Sequence, residues 1–163
     1  LEEFSWPKGL AFDAVNRRVY IVTSHVYTRF YVYDPGTSDW QRLAAEHRDL
    51  PLVALTYSAA HDALFALAHS PSAARLSTVH RFNTLGALTG TVDLSPAIPV
   101  PDRDRGPIQL QASGSWLVLI MPAHEQRDAG MGSAAGVFAV DPATGTVFRA
   151  PRLQELPLEN QPQ

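Results

Sequence analysis

Along this chain the apolar residues come in short runs of strand length, separated by glycine, proline, asparagine or aspartate. β-Branched and aromatic side chains fill the runs, as in Arg18-Val-Tyr-Ile-Val-Thr-Ser24, Arg29-Phe-Tyr-Val-Tyr-Asp34 and Leu52-Val-Ala-Leu-Thr-Tyr-Ser58. Such residues fit a pleated, half-buried surface, whereas a helix needs apolar positions three and four apart. No segment of helical period competes. Asp39–His47 has room for a helical turn or two, and Pro151–Asn160 reads as a loose tail, but neither carries an apolar stripe.

The runs fall into three cycles of the same pattern: strand, short turn, strand, longer loop, strand, tight turn, strand. The first cycle holds Gly9–Asp13, Arg18–Ser24, Arg29–Asp34 and Ser38–Leu43. The second holds Leu52–Ser58, Ala63–His69, Thr78–Asn83 and Thr89–Leu94, and the third Ile108–Ser113, Trp116–Met121, Gly136–Asp141 and Thr146–Arg149. Asp34, Asn83 and Asp141 each close a third strand, and Tyr20, Phe65 and Val118 hold matching places in the second strands. Their spacing is on the order of 50 residues, as for a four-stranded repeat. The turns have a local cause. An Asp side chain accepts bonds from backbone N–H groups ahead of it, proline presets φ, and glycine takes the positive-φ corner, as in Asp141-Pro-Ala-Thr-Gly145.

Twelve short strands in sets of four predict an all-β fold of three four-stranded antiparallel propeller-type blades, at about 7–45, 52–95 and 107–150. They form a unit over 1–150, followed by a polar tail over 151–163. The alternative is a two-sheet β-sandwich, which explains the strands but gives no reason for the four-strand rhythm. Closed propellers have typically ~4–8 blades. Three are too few, so the expectation is either a partial propeller with additional blades missing or a homodimer that joins two copies as six blades. A fragment or processed chain is favoured, since the sequence opens on Leu1.

Pro7-Lys-Gly-Leu-Ala-Phe-Asp13 followed by Arg18-Val-Tyr-Ile-Val-Thr23 resembles the start of a blade in NHL, YVTN and lactonase-like β-propellers. Similar phrases recur at Leu55–Ser58 with Ala63–Ala66, and Gly136–Gly145 looks like a later strand and turn of that group. The resemblance covers about residues 7–150 and implies a fold rather than an activity. In the lactonase-like enzymes of the group, carboxylates and an Asn at the inner mouth hold a divalent cation that activates water. That pattern is not matched, because Glu2 and Glu3 precede the first blade and no Asn–Asp pair stands at equivalent mouths.

Composition narrows the partners. The chain of 163 residues is 45% hydrophobic and 18% charged, the make-up of an ordinary water-soluble globular protein. A net charge of −3 leaves no basic excess for a phosphate backbone, so nucleic acid is not expected as a partner. No apolar run approaches the ~20 residues that cross a bilayer, so no membrane partner is expected. The absence of cysteine excludes disulfides, thiolate metal sites and cysteine nucleophiles while leaving the compartment open. Export or a periplasmic location is favoured slightly over the cytoplasm.

In a four-stranded meander the second connection and the crossover to the next sheet leave on one end, and the other two turns leave on the opposite end. All the long connections share one end: His25–Thr28, Ala44–Pro51, Ser70–Ser77, Ser95–Pro107 and Ala123–Ala135. Long loops on a rigid scaffold are where binding chemistry usually sits. The candidate ligand-binding residues are therefore His25, Tyr27, His47, Arg103, Arg105, His124, Glu125, Arg127 and Asp128. His124–Asp128 offers an imidazole and two carboxylates but lacks His-Glu-x-x-His spacing, so no metal and no cofactor is expected. Asp102-Arg-Asp-Arg105 could clamp a carboxylate or phosphate, although alternating charges also neutralise one another. His61 and His80 read as structural, and Phe12, Tyr31, Tyr33, Tyr57, Phe65, Trp116 and Phe138 as packing between sheets, with Trp6 and Trp40 nearer the surface.

The function these features predict is a non-catalytic binding or scaffold module that recognises a protein, peptide or glycan through the long-loop end. The alternative is a lactonase- or hydrolase-like propeller enzyme using a divalent cation. A purely structural half of a larger ring is a third reading.

Overall fold

The computed structural model describes residues 7–24, 26–69, 76–94, 109–121 and 136–149. They form twelve strands, in chain order β1 (Pro7–Asp13), β2 (Arg18–Ser24), β3 (Tyr27–Asp34), β4 (Asp39–Arg48), β5 (Leu52–Ser58), β6 (Ala63–His69), β7 (Leu76–Phe82), β8 (Leu88–Asp93), β9 (Gln109–Ser113), β10 (Trp116–Met121), β11 (Gly136–Val140) and β12 (Val147–Arg149). These make three four-stranded sheets, each ordered as the chain runs: β1-β2-β3-β4, β5-β6-β7-β8 and β9-β10-β11-β12. Every pairing is antiparallel.

The sheets stack on one another, with the inner strands β1, β5 and β9 side by side. Strand alternation makes this possible, because successive side chains leave opposite faces. In β6, Leu64, Ala66 and Ala68 point to the first sheet, where they meet Ala11, Tyr20, Val22, Phe30, Val32 and Leu43. Ala63, Phe65 and Leu67 of the same strand enter a second core with Leu110, Leu117, Leu119, Phe138 and Val140 of the third sheet. The middle sheet is thus buried on both faces. Two cores around one sheet rule out a two-sheet sandwich and define three successive propeller blades, named here blades 1, 2 and 3.

The inner strands of blades 1 and 2 approach so closely that a Cβ added at Gly9 would lie 2.6 Å from Leu55 Cβ. Between blades 2 and 3 the approach is fixed by a polar bond, in which the Ala112 N–H donates to Thr56 Oγ1 at 3.0 Å.

The tight turns hold as their sequences predict. Asp34 Oδ1 accepts from Gly36 N at 2.8 Å, Asn83 Oδ1 from Leu85 N and Ala87 N at 3.0 and 2.9 Å, and Asp141 Oδ1 from Ala143 N at 2.8 Å. Each tight turn also places one residue at positive φ. Glycine does so at Gly86, Gly114 and Gly145, whereas Arg17, Ser38 and Asp62 do so without its freedom.

Several boundaries differ from the sequence reading. β4 continues to Arg48, so Asp39–His47 is strand rather than helical turn or loop. β3 begins at Tyr27, which shortens the expected His25–Thr28 loop. Both extensions pair with each other, Tyr27 with Arg48 and Thr28 with His47, and that pairing satisfies backbone groups that a loop would leave to water. Phe12 and Trp116 are exposed rather than packed between sheets, because they lie on the outward faces of blades 1 and 3.

Gly9→Ala is expected to destabilise the protein by about 1–3 kcal/mol, read from urea denaturation, because the inner strands must part to admit the methyl group. Ser38→Gly is expected to stabilise it by about 0.5 kcal/mol, since relief of left-handed strain slightly exceeds the entropy glycine adds to the unfolded chain.

Candidate functional site at the long-loop end

The described part of the long-loop end is anchored by hydroxyl groups. Ser24 Oγ, at the end of β2, donates to the carbonyl oxygen of Leu50 at 3.0 Å and accepts from Leu52 N at 3.2 Å. Thr28 Oγ1 donates to the same Leu50 oxygen and lies 3.0 Å from Ser24 Oγ. Both hydroxyls are buried. They tie the crossover from β4 to β5 onto the top of β2 and β3, and Asp49 N adds a bond to Val26 O at 3.2 Å. The platform below the connections is therefore fixed. The sequence reading passed over Ser24 and Thr28, since small hydroxyl residues in a strand carry no signal until their partner is known.

Tyr27 stands on this platform with 40% of its surface exposed. The Arg29 guanidinium lies 5.5 Å from its ring centroid, and Arg48 is paired with it across the sheet. Arg48 and Asp49 form an exposed ion pair at 3.5 Å. Further out, Glu46 accepts from Arg29 at 2.7 Å and from Arg42 at 2.5 Å. The Arg29 bond, with the charges of Arg29 and Arg42 behind it, holds the Glu46 carboxyl below its usual range. An accessible aromatic ring flanked by arginines can stack on a sugar or side chain and hold a carboxylate beside it.

His47 is placed differently. Its ring is half-buried, with Nε2 donating to the carbonyl oxygen of Gly86 at 2.8 Å. It stands edge-on to Phe30 and Phe82, with ring centroids 6.3 and 5.3 Å away. Strand twist swings the end of β4 over the β7–β8 turn of blade 2, so His47 closes the outer seam between two blades. His47 and Tyr27 thus stand in neighbouring strands but serve different surroundings. His25, Arg103, Arg105, His124, Glu125, Arg127 and Asp128 lie outside the described residues, as do Trp6 and the 151–163 tail.

His61 and His80 sit where turn and strand chemistry predicts. His61 Nδ1 lies 3.3 Å from Ser58 Oγ and its ring meets the Phe65 edge at 5.6 Å. His80 Nδ1 lies 3.2 Å from Thr91 Oγ1. Burial first, and the neighbouring His47 imidazole second, lower the His80 pKa. At the short-turn end, the Tyr57 phenol donates to Asp62 at 2.8 Å, and burial followed by this bond raises its pKa well above the ordinary range. Among the described residues no group of three His, Asp or Glu side chains could hold a metal ion.

The hydrazine synthase of Kuenenia stuttgartiensis superposes with a TM-score of 0.55 at 14% identity, over 88% of this chain and 37% of that one. The WD40 domain of Neurospora crassa Pan2 superposes with a TM-score of 0.52 at 12% identity, over 89% of this chain and 40% of that one. WD40 domains are propellers of four-stranded blades, so the likeness supports the blade assignment and shows the fold alone. This chain spans about two fifths of the length of either. No protein-family model matches it, and no curated protein matches it.

A histidine whose folded-state pKa is lowered stabilises the fold least in acid, because the unfolded chain takes up the proton first. Stability is expected to fall as pH drops from about 7 through the ordinary histidine value of 6.5 and to level off below the folded value of His80. His80→Gln should flatten that slope in urea titrations at stepped pH. An unchanged slope would assign the effect to another group.

Proposed function

We propose that this chain is a non-catalytic binding or scaffold section of a β-propeller, which recognises a protein, peptide or glycan through its long-loop end. The observation that carries the reading is the Tyr27 corner: an exposed aromatic ring, a guanidinium over it, and a second arginine across the sheet, all on a hydroxyl-bolted platform. Exposed rings and arginines dominate recognition surfaces because they offer large contact area with directional polar groups. Arg103, Arg105, His124, Glu125, Arg127 and Asp128 belong to the connections that leave from the same end, and His25 precedes Tyr27 by two residues. They extend the proposed surface. The short phrases that resemble NHL, YVTN and lactonase-like blades support a propeller of that kind.

The test is binding to peptide and glycan arrays, followed by titration of whatever is retained. Tyr27→Ala, and separately alanine at Arg103, Arg105, His124 and Arg127 together, are expected to weaken each retained ligand at least tenfold, about 1.4 kcal/mol, with little change in Tm. Ligands held equally well by both variants would overturn the reading.

A further inference from the structure

The register of β3 against β4 places one guanidinium in each of three successive rows on the same sheet face. Tyr27 faces Arg48, Arg29 faces Glu46, and Tyr31 faces Arg42. Tyr31 is buried, but the charged side chains of these rows reach water: Arg29, Arg42 and Arg48 are 37%, 47% and 72% exposed. Three guanidiniums stand against two carboxylates, those of Glu46 and Asp49, so the row is positive although the chain carries a net charge of −3.

Arg29 is the most firmly oriented of the three. Its Nε donates to Glu46 Oε2 at 2.7 Å, and its guanidinium carbon lies 5.5 Å from the Tyr27 ring centroid. The bond to Glu46 fixes one edge of the group and the ring supports its plane, which leaves the terminal nitrogens as a fork that matches the paired oxygens of a carboxylate. Arg42 reaches the same Glu46 oxygen through Nη2, so a single carboxylate oxygen serves two cations. A neutral sugar would stack on an open ring face, but over the Tyr27 ring stands a cation, and a cation calls for an anion.

We propose that this row reads an acidic peptide, taking carboxylate side chains from alternate positions of an extended segment, with Arg29 as the bidentate contact. The inference rests on the binding reading above and gives its ligand a chemistry. The rows are set by Tyr27, Arg29 and Tyr31 of β3, and same-face residues of a strand recur every ~6.5–7 Å. Alternate side chains of an extended peptide recur at the same distance, so Arg48, Arg29 and Arg42 meet acidic residues separated by one neutral residue. Exposed ion pairs such as those to Glu46 and Asp49 hold weakly, so an incoming carboxylate shares the arginines without disturbing the fold.

Fluorescence anisotropy on the whole chain tests this with labelled hexapeptides. The probe alternates Glu with Thr, one control replaces every Glu by Gln, and a second gathers the Glu residues at one end. The probe is expected to bind roughly tenfold more tightly, or better, than either control. Arg29→Lys keeps the charge and loses the fork, so it should weaken the probe by roughly tenfold or more with Tm unchanged. If that variant fails to fold, Tyr27→Leu replaces it, since it removes the ring support and leaves every charge in place. Undetectable binding of the probe, equal binding of either control, or full binding by the variant would overturn the inference. Capture of an oligogalacturonate in preference to the probe would overturn it too, by moving the carboxylate to a sugar acid. Uncharged array ligands that are lost in Tyr27→Ala would overturn this inference and leave the binding reading standing, so the two failures are told apart.

Discussion

Everything in this structure depends on strand β6 being buried on both faces. Ala63, Phe65 and Leu67 look one way and Leu64, Ala66 and Ala68 the other, and none of the six is more than 5% exposed. A strand with two apolar faces cannot serve a sheet with a wet side. It needs a sheet on each side, and blades 1 and 3 supply them. The size of the side chains then sets the spacing: Gly9 and Ala54 let the inner strands crowd together, while Phe30, Phe82 and His47 fill the wider outer gap. At this first seam, close inner strands and a ring-filled outer gap make a wedge, and wedges stacked side by side turn about an axis.

The same division of labour separates the two ends of the blades. At the short-turn end the polar side chains are consumed by the turns themselves. Asp13 accepts from Val15 N and Asn16 N, and Asp141 from Ala143 N and the Thr144 hydroxyl, which holds the Asp141 carboxyl below its usual range. At the opposite end, buried hydroxyls fix the crossover while Tyr27 and its arginines face water. Polar groups that serve the backbone are spent. Polar and aromatic groups above a satisfied backbone are available for a ligand, which is why the long-loop end carries the functional proposal.

The architecture was legible in the sequence because strand formation and turn formation are local. Alternation within ten residues, an Asp or Asn ahead of a glycine, and β-branched runs suffice to place twelve strands in three sets of four. The candidate site was legible only in outline. Tyr27 was found through its position near a long connection, although it stands in a strand. His47 was found for the same reason and turned out to close a seam, because its partners Gly86, Phe30 and Phe82 come from another turn and other strands. Ser24 and Thr28 were missed, as the carbonyl they hold lies more than twenty residues further along the chain.

The sequence by itself determined the strands, their grouping and the tight turns, since each rests on interactions between near neighbours in the chain. Only the tertiary structure decided which face of each sheet is covered. Phe12 and Tyr57 occupy the same register place in their blades, and nothing in their local sequence separates them, yet Tyr57 is buried against blade 1 while Phe12 faces outward. Burial of a sheet face is a property of what stacks on it, and that is fixed by contacts between blades far apart in the chain.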